Sequence, residues 1–216
     1  MCTTPRLFIG TLLACACLAL SACRQSPAGQ EGAAETPPGA VPLPPAEDLL
    51  FEDASELPPA LRFEGDFLQG ARWQGRDAVY WAVISKYEQG TVGTAGWASR
   101  LNIYLYEMRG GQLAGMTSVE AAAPKLNSRA RLEAGKSRLE DFSSIGKALS
   151  FVYTICPDGG GACAIYASVL NRAGKYDFQV QSDIAPEVYL ENQAVMMQGI
   201  PADVRPHLLE QLFPGR

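Results

Sequence analysis

The chain has 216 residues, of which 18 are basic and 23 are acidic. The charge is unevenly placed, because residues 24–60 hold one base and seven acids whereas residues 61–216 hold 16 of each. A nucleic-acid-binding protein needs a net basic face to replace the counterions of the phosphates. The balance therefore argues against a nucleic-acid partner.

Residues 1–22 have the anatomy of an export signal. Arg6 is their one charged side chain, and an uncharged apolar run extends from Leu7 to Leu20. That run is too short to span a bilayer comfortably, since spanning takes about 20 apolar residues. A charged start, a short apolar centre and small residues at the cleavage site are typical of a secretory signal.

The stretch Leu20-Ser21-Ala22-Cys23 resembles the lipobox of bacterial lipoproteins. The resemblance implies that Cys23 carries diacylglycerol, that the signal is cleaved before Cys23, and that the new amino terminus is acylated, for example with palmitate. Two or three acyl chains anchor a protein stably in a membrane. Arg24 after the cysteine, by the same resemblance, favours the outer membrane facing the periplasm over the inner membrane or the cell surface. The alternatives are an uncleaved anchor and a plain signal that contains a cysteine.

The other cysteines sort by position. Three of them lie in the signal: Cys2, Cys15 and Cys17. Cys156 and Cys163 remain for an oxidising compartment, which favours a disulfide between them. A metal site at these two thiols lacks further ligands, because His207 is the only histidine and lies far along the chain. We expect neither a metal nor another cofactor.

The mature chain divides into a tether and one domain. Lipidated Cys23 begins an acidic linker, residues 23–48, with six prolines and no aromatic residue. Such a segment cannot bury enough apolar area to offset its ordering entropy, so the linker is predicted to be disordered. Residues 49–216 are predicted to form a single globular domain.

Alternation of apolar and polar residues, with turn signals between the runs, predicts a series of strands in the first part of this domain. The predicted segments are Leu61–Trp73 with a bend at Gly65 or Gly70, Ala78–Tyr87, Arg100–Met108, Gln112–Val119, Arg129–Ala134, Lys147–Cys156, Ala162–Leu170 and Tyr176–Gln181. Arg109-Gly110-Gly111 is predicted to turn one antiparallel hairpin.

The cysteine pair fixes the register of a second hairpin. If Cys156 faces Cys163, then Thr154 faces Ile165, and Tyr153 meets Tyr166 on the opposite face. Both faces are largely apolar, so this hairpin is predicted to be covered on both sides.

The end of the chain changes to a helical period. Pro186–Gln198 suits a helix with proline at its first position and Gly199 past its end. Asp203 is predicted to cap a last helix with an apolar stripe that includes Val204 and Leu208. The fold class predicted is α+β, a mainly antiparallel sheet with one or two C-terminal helices packed on one face.

Two features are candidate binding sites. The glycine-rich loop 88–99 carries Trp97, which could contact a ligand or fold back onto the edge of the sheet; we favour the second. Tyr104 and Tyr106 share a strand face with Asn102, with Trp73 and Trp81 expected on neighbouring strands. Such clusters stack on sugars, form protein interfaces or pack in cores, and packing under the helices is the simplest interpretation.

A third candidate is Gln69-Gly70-Ala71-Arg72-Trp73. It is similar to the Ser-Gly-Ala-Arg-Tyr segment of bacterial lysozyme-inhibitor lipoproteins, with Gln69 and Trp73 in place of the serine and tyrosine. The resemblance implies Arg72 and Trp73 as contact residues of an inhibitor.

One basic cluster interrupts the neutral domain. It comprises Lys125, Arg129, Arg131, Lys136 and Arg138, with the single acid Glu133 among them. It could meet an anionic partner, although a run of this kind is more often a solvated face.

Motifs of catalysis are missing from the sequence. There is no Gly-x-Ser-x-Gly elbow, no His-Glu-x-x-His and no free cysteine to pair with a histidine. We therefore expect a non-enzymatic binding or interaction role at the cell envelope. The expected partners are the membrane, which the lipid enters, and an envelope protein or glycan. Two alternatives are an inhibitor or immunity protein against a wall-degrading enzyme, and a hydrolase that uses two distant carboxylates.

Overall fold

The computed structural model of the chain describes residues 47–91, 94, 97–121 and 127–216. The predicted export signal, the predicted lipobox with Cys23, almost all of the predicted linker and Lys125 of the basic cluster lie outside these residues. Within the described ranges, no helix has the length and apolar character that crossing a bilayer requires.

The first half of the domain forms a five-stranded antiparallel sheet, sheet A. Its strands lie in chain order: β1 (Leu49–Phe51), β2 (Asp66–Gln74), β3 (Val79–Gln89), β4 (Ala98–Arg109) and β5 (Gln112–Glu120). Gly110 and Gly111 form the two-residue turn between β4 and β5, with φ of 55° and 79°. Two consecutive positive φ angles are what this tightest hairpin turn requires, and glycine adopts them without a steric penalty.

The second half forms another five-stranded antiparallel sheet, sheet B. Its strands are β6 (Ser128–Leu132), β7 (Arg138–Phe142), β8 (Gly146–Pro157), β9 (Ala164–Asn171) and β10 (Gly174–Gln181). The order is β10-β9-β8-β6, and β7 also pairs with β8, further along the same edge. Strand β8 is the longest strand of this sheet. Three other strands, β6, β7 and β9, pair with it, so it lies at the centre of the hydrogen-bonded network.

The two sheets pack face to face. Ala82, Ile84 and Ile103 point from sheet A towards sheet B, and Phe151 and Tyr153 point back from sheet B. All five are 0 % exposed. Full burial of a large apolar side chain stabilises a fold by about 1.5–3 kcal/mol, so this interface is a main source of the stability of the domain.

Two helices cover the outer face of sheet B. They are α1 (Pro186–Met196), which begins with proline as expected, and α2 (Val204–Leu212). Tyr189 and Leu208 of the helices pack on Val152, Val169 and Phe178 of the sheet. The α+β class and the helices packed on a sheet are therefore confirmed, although the strands form two sheets rather than one.

The predicted register of the disulfide hairpin is confirmed. Cys156 and Cys163 are bonded, Thr154 lies opposite Ile165, and Tyr153 lies opposite Tyr166. The two tyrosine rings stack with their centroids 4.6 Å apart. Strand β7, in contrast, was not predicted, because its sequence Arg-Leu-Glu-Asp-Phe carries too few apolar residues to show a clear alternation.

The predicted cap of the last helix needs correction. Asp203 stands at the N-cap of α2, but its side chain makes no capping hydrogen bond there. Its carboxylate instead accepts hydrogen bonds from the hydroxyl of Ser143 at 2.8 Å and from the backbone N–H of Ser144 at 2.9 Å. Asp203 therefore ties the start of α2 to the turn between β7 and β8.

Candidate functional site

The outer face of sheet A carries a layer of irregular chain, residues 57–65. Leu57, Leu61 and Phe63 of this layer pack on Trp81 and Val83 of β3. Gly65 ends the layer with a φ of 88°, and an added Cβ there would lie 2.3 Å from the carbonyl oxygen of Lys86. Only glycine suits this bend, so the predicted bend at Gly65 is confirmed and the strand proper begins at Asp66.

Side-chain hydroxyls of the sheet hold the layer in place. Tyr106 donates to the carbonyl of Arg62, and Ser85 donates to the carbonyl of Glu64 at 2.6 Å. The hydroxyl of Tyr104 accepts from the backbone N–H of Glu64 at 3.1 Å. Burial above all, and Tyr104 to a lesser extent, raises the pKa of Tyr106 to about 12, so its hydroxyl keeps the proton that it donates.

A groove of about 450 Å³ lies between this layer and β5, and we name it the β5 groove. The residues that line it include Arg62, Phe63, Asn102, Tyr104, Met116 and Ser118. The residues Asn102, Tyr104 and Tyr106 share one strand face, as the sequence predicts, and their cross-strand partners on β5 are Glu120, Ser118 and Met116. The floor of the groove is therefore built from β4 and β5 alone.

Asn102 is the unusual residue of the β5 groove. It is 6 % exposed, and its carboxamide has no hydrogen-bond partner among the described residues. Asn102 lines the groove, so its carboxamide is available to a molecule bound there. The hydroxyl of Tyr104 likewise accepts one bond, from Glu64, and finds no acceptor for its own hydrogen in the described part of the chain. The groove thus offers three hydrogen-bond donors, the two amide hydrogens of Asn102 and the hydroxyl hydrogen of Tyr104, and one acceptor, the amide oxygen of Asn102.

The groove borders a free strand edge. The N–H of Ala121 donates to the carbonyl of Leu101 at 2.9 Å, and backbone groups alternate sides along a strand. The N–H groups of Met116 and Ser118 therefore point away from β4. Strand β5 is the last strand of sheet A, and in the described ranges no other strand pairs with this edge.

Two apolar side chains stand exposed on this same strand. Leu113 is 45 % exposed and Met116 is 54 % exposed. Both lie on the outer face, since Leu113 pairs with Met108 and Met116 pairs with Tyr106. Strand β5 contains no proline or lysine, the residues with which proteins commonly protect an edge from pairing.

An ion pair closes one end of the β5 groove. Arg100 and Glu120 meet at 2.8 Å, and the guanidinium of Arg100 lies 4.7 Å from the centre of the Tyr87 ring. The guanidinium of Arg62, at the other side, donates to the carbonyl of Pro59 at 2.7 Å. The charge of Arg100 is thus neutralised by Glu120, and Arg62 and Glu64 add one charge of each sign to the lining. The lining therefore carries no net charge and gives no preference for a strongly charged ligand.

The structure separates the other candidate residues. Trp73 lies on the inner face of sheet A, 2 % exposed and stacked on Tyr80, so it does not share the face of Tyr104. Trp97 is 1 % exposed, folded back under Arg129. Both tryptophans are packed interior side chains that present almost no surface to a ligand.

The segment that resembles the lysozyme inhibitors is not a protruding loop. Residues 69–73 lie within β2, between β1 and β3. Arg72 places its guanidinium 5.4 Å from the centre of the Trp81 ring and donates to the carbonyl of Glu47 at 3.4 Å. Its charged group is therefore engaged within the domain.

Sequence reasoning identified Asn102 and Tyr104 but missed the opposite wall of the groove. The sequence predicts one extended segment over Leu61–Trp73, and this segment includes Arg62 and Phe63. Pro58 and Pro59 before it and Gly65 within it are the signals that separate the layer from the strand. Met116 was placed in the correct hairpin, but its exposure depends on which sheet edge is covered.

The described residues contain no cluster of three His, Cys, Asp or Glu that could hold a metal ion. The ring of His207 lies against Phe142 at 5.3 Å, and burial lowers the pKa of His207. No family model, curated protein or solved structure matches this chain.

Proposed function

We propose that this protein is a lipid-anchored, non-catalytic binding protein of the cell envelope, and that it binds an extended segment of a partner protein alongside β5. The lipobox resemblance at Cys23 supports the location. The unpaired edge of β5, beside a groove with a free carboxamide at Asn102, is the observation that carries the binding role.

Strand addition explains why the partner is a protein. A peptide backbone in extended form supplies alternating N–H and C=O groups, which pair with the outward groups of β5. Alternate side chains of such a segment would then lie over Leu113 and Met116 and reach into the β5 groove. A glycan could meet the polar groups of the groove, but it has no regular row of N–H and C=O groups to match those along the edge.

The side chains expected in the bound segment of the partner follow from the residues that line β5 and the β5 groove. Exposed Leu113 and Met116 favour apolar side chains. Asn102 favours one polar side chain or backbone amide that can donate and accept at once. The neutralised rim, where Arg100 already pairs with Glu120, gives no preference for a highly charged segment.

Photo-crosslinking in intact cells tests this proposal. A photoreactive phenylalanine analogue at Leu113 is expected to capture a specific protein, whereas the same analogue at Val195, which is 77 % exposed on α1, is expected not to capture it. Replacing Ser118 by proline removes an outward N–H without removing a hydrogen bond to β4. We expect Ser118→Pro to abolish capture at position 113.

Ser118→Thr is the matched control, because it keeps the outward N–H and should keep the capture. Both variants should unfold at nearly the same temperature as the natural chain, since proline is tolerated at an edge position whose N–H faces solvent. Capture that persists in a folded Ser118→Pro variant would contradict strand addition. Capture at Val195 but not at Leu113 would show that the partner binds the helices and not β5.

A further inference from the structure

Strand β6 of sheet B lies beside sheet A, and residues of both line an opening. Strand β6 begins against β4, where the N–H of Asn127 donates to the carbonyl of Trp97 at 2.6 Å and the N–H of Ala130 donates to the hydroxyl of Ser99 at 2.7 Å. Further along, no ladder joins the two sheets in the described part of the chain. An opening of about 400 Å³ lies there, and we name it the inter-sheet wedge.

Gln69 places an unpartnered polar atom in the inter-sheet wedge. A register irregularity between Phe67 and Gln69 interrupts the pairing of β2 with β3. Gln69 then follows the same strand face as Ala71 and Trp73, which points between the sheets. Gln69 is 9 % exposed, and its Oε1 is buried without a hydrogen-bond partner. An N–H or O–H donor of a bound molecule would satisfy this acceptor.

The remaining walls of the inter-sheet wedge are mostly apolar. Leu68 and Leu132 face it from the two sheets and are half-buried against the inner core. Ala130 forms part of its floor, and Ala134 lies at its exposed mouth. An alkyl chain that entered between the leucines would extend the contact surface of the core.

Positive charge gathers at the mouth. Three bases, Lys86, Arg129 and Arg131, border the inter-sheet wedge against the single acid Glu52. Lys86 pairs with Glu88, and Arg129 pairs with Asp158 at 3.4 Å. Arg131 makes no ion pair with any residue that the structure describes, so its charge is available to an anion at the mouth.

We propose that the inter-sheet wedge binds an anionic amphiphile that carries a hydrogen-bond donor between its apolar chain and its acidic group. The chain lies between Leu68 and Leu132, the donor meets Gln69 Oε1, and the acidic group pairs with Arg131. This site faces the open side of the sandwich and is separate from the β5 groove, so it does not depend on the proposed strand addition.

Calorimetric titration with two matched probes tests the proposal. N-dodecanoylglycine carries an amide N–H, and dodecanoyl glycolate differs from it only by an ester oxygen at that position. The full chain with Cys23→Ser, which we expect to remain free of lipid, is titrated below the aggregation concentration of the probes. We expect saturable binding of both at one site, with the amide bound about fivefold more tightly, as one neutral hydrogen bond provides.

Three variants assign the contacts. Gln69→Met has a similar size but no acceptor, so we expect it to remove the preference for the amide and to leave binding of the ester unchanged. Arg131→Gln should weaken both probes several-fold. Arg172→Gln, an exposed arginine on the turn between β9 and β10, is the matched charge control and should change neither.

Thermal unfolding shows whether each variant is folded, and Gln69→Met should not lower the unfolding temperature, because it removes an unsatisfied acceptor. The proposal is overturned if neither probe binds at one saturable site, if the amide preference survives in folded Gln69→Met, or if Arg131→Gln and Arg172→Gln weaken binding equally.

Discussion

The ring of Phe51 fills the space that a side chain at Gly70 would occupy. The two residues are opposite partners in the pairing of β1 with β2, and a Cβ on Gly70 would lie 2.1 Å from Cζ of the Phe51 ring. Phe51 in turn packs edge-on against Trp81 at 5.9 Å. The short strand β1 is thus held to sheet A by an aromatic ring over a glycine.

Gly70→Ala should therefore destabilise the protein by about 1–3 kcal/mol, the usual cost of an extra group in a packed site. Gly115→Ala is the matched control on β5, since a Cβ there would meet only Glu107 at 3.9 Å, and it should be neutral or slightly stabilising. Urea unfolding measures both. In a Phe51→Ala background the cost of Gly70→Ala should largely disappear, and a cost that stays the same would show that Phe51 is not the obstacle.

The disulfide should contribute about 2.5 kcal/mol to stability, the value that chain entropy gives for a loop of about eight residues. The bond joins Cys156 to Cys163. Replacing both cysteines by serine should lower the free energy of unfolding by about this amount, and reductant should lower the stability of the natural chain but not of the variant. Peptide mapping without reductant should recover the linked pair, and two free thiols in protein purified under oxidising conditions would contradict the bond.

Asp203 should make stability depend on pH in the acidic range. Hydrogen bonds from Ser144, first from its side chain and then from its backbone, lower the pKa of Asp203 from 3.8 to about 2. The unfolded chain therefore binds this proton more readily than the folded one, so the stabilisation is complete above the unfolded pKa of 3.8 and is lost as the pH falls through about 2.

The unfolding temperature of Asp203→Asn, measured from pH 7 to pH 2, tests this dependence. The variant should be less stable than the natural chain at neutral pH, and the difference should shrink as the pH falls through this range. Asp183→Asn, at an exposed aspartate, should match the natural chain throughout. A difference between natural chain and Asp203→Asn that is independent of pH would show that the carboxylate charge plays no part.

Replacing Cys23 by serine should abolish lipidation. Metabolic labelling with palmitate should mark the natural chain and leave Cys23→Ser unlabelled, and the variant should move from the membrane to the soluble fraction, because no acyl chain remains to anchor it. The Cys15→Ser and Cys17→Ser variants, whose cysteines lie within the apolar run, are the controls and should label normally. Labelling that survives in Cys23→Ser would overturn the lipobox assignment.

Local patterns predicted most of the strands and the register of the disulfide hairpin correctly, because there a physical constraint acts within a few residues. The bond between Cys156 and Cys163 sets which residues of β8 and β9 are opposed. The alternation around Tyr104 assigns its face correctly, since Ile103 and Leu105 lie in the inner core and Tyr104 does not. Both inferences need only the two-residue period of a strand.

Long-range arrangement could not be predicted in this way. The period of a strand shows which residues share a face but not which other sheet that face meets, so Trp73 was grouped with Tyr104 although they lie on opposite faces. The local pattern predicts Asp203 as a helix cap. Its actual partners, Ser143 and Ser144, lie about 60 residues away in the chain, and no local pattern can indicate them. The wall of the β5 groove at residues 62–64 has no period at all.

The division of strands between the two sheets also follows the chain. Every strand of sheet A precedes Ala121, and every strand of sheet B follows Asn127. Most strands pair with a neighbour in the chain, and such local pairing forms rapidly. The two halves therefore meet chiefly through side chains, so each could assemble its own hydrogen-bond ladder before they dock. The covalent connection would then serve mainly to raise the effective concentration of one half near the other. We therefore expect the two halves, produced as separate polypeptides, to recombine into the same sandwich.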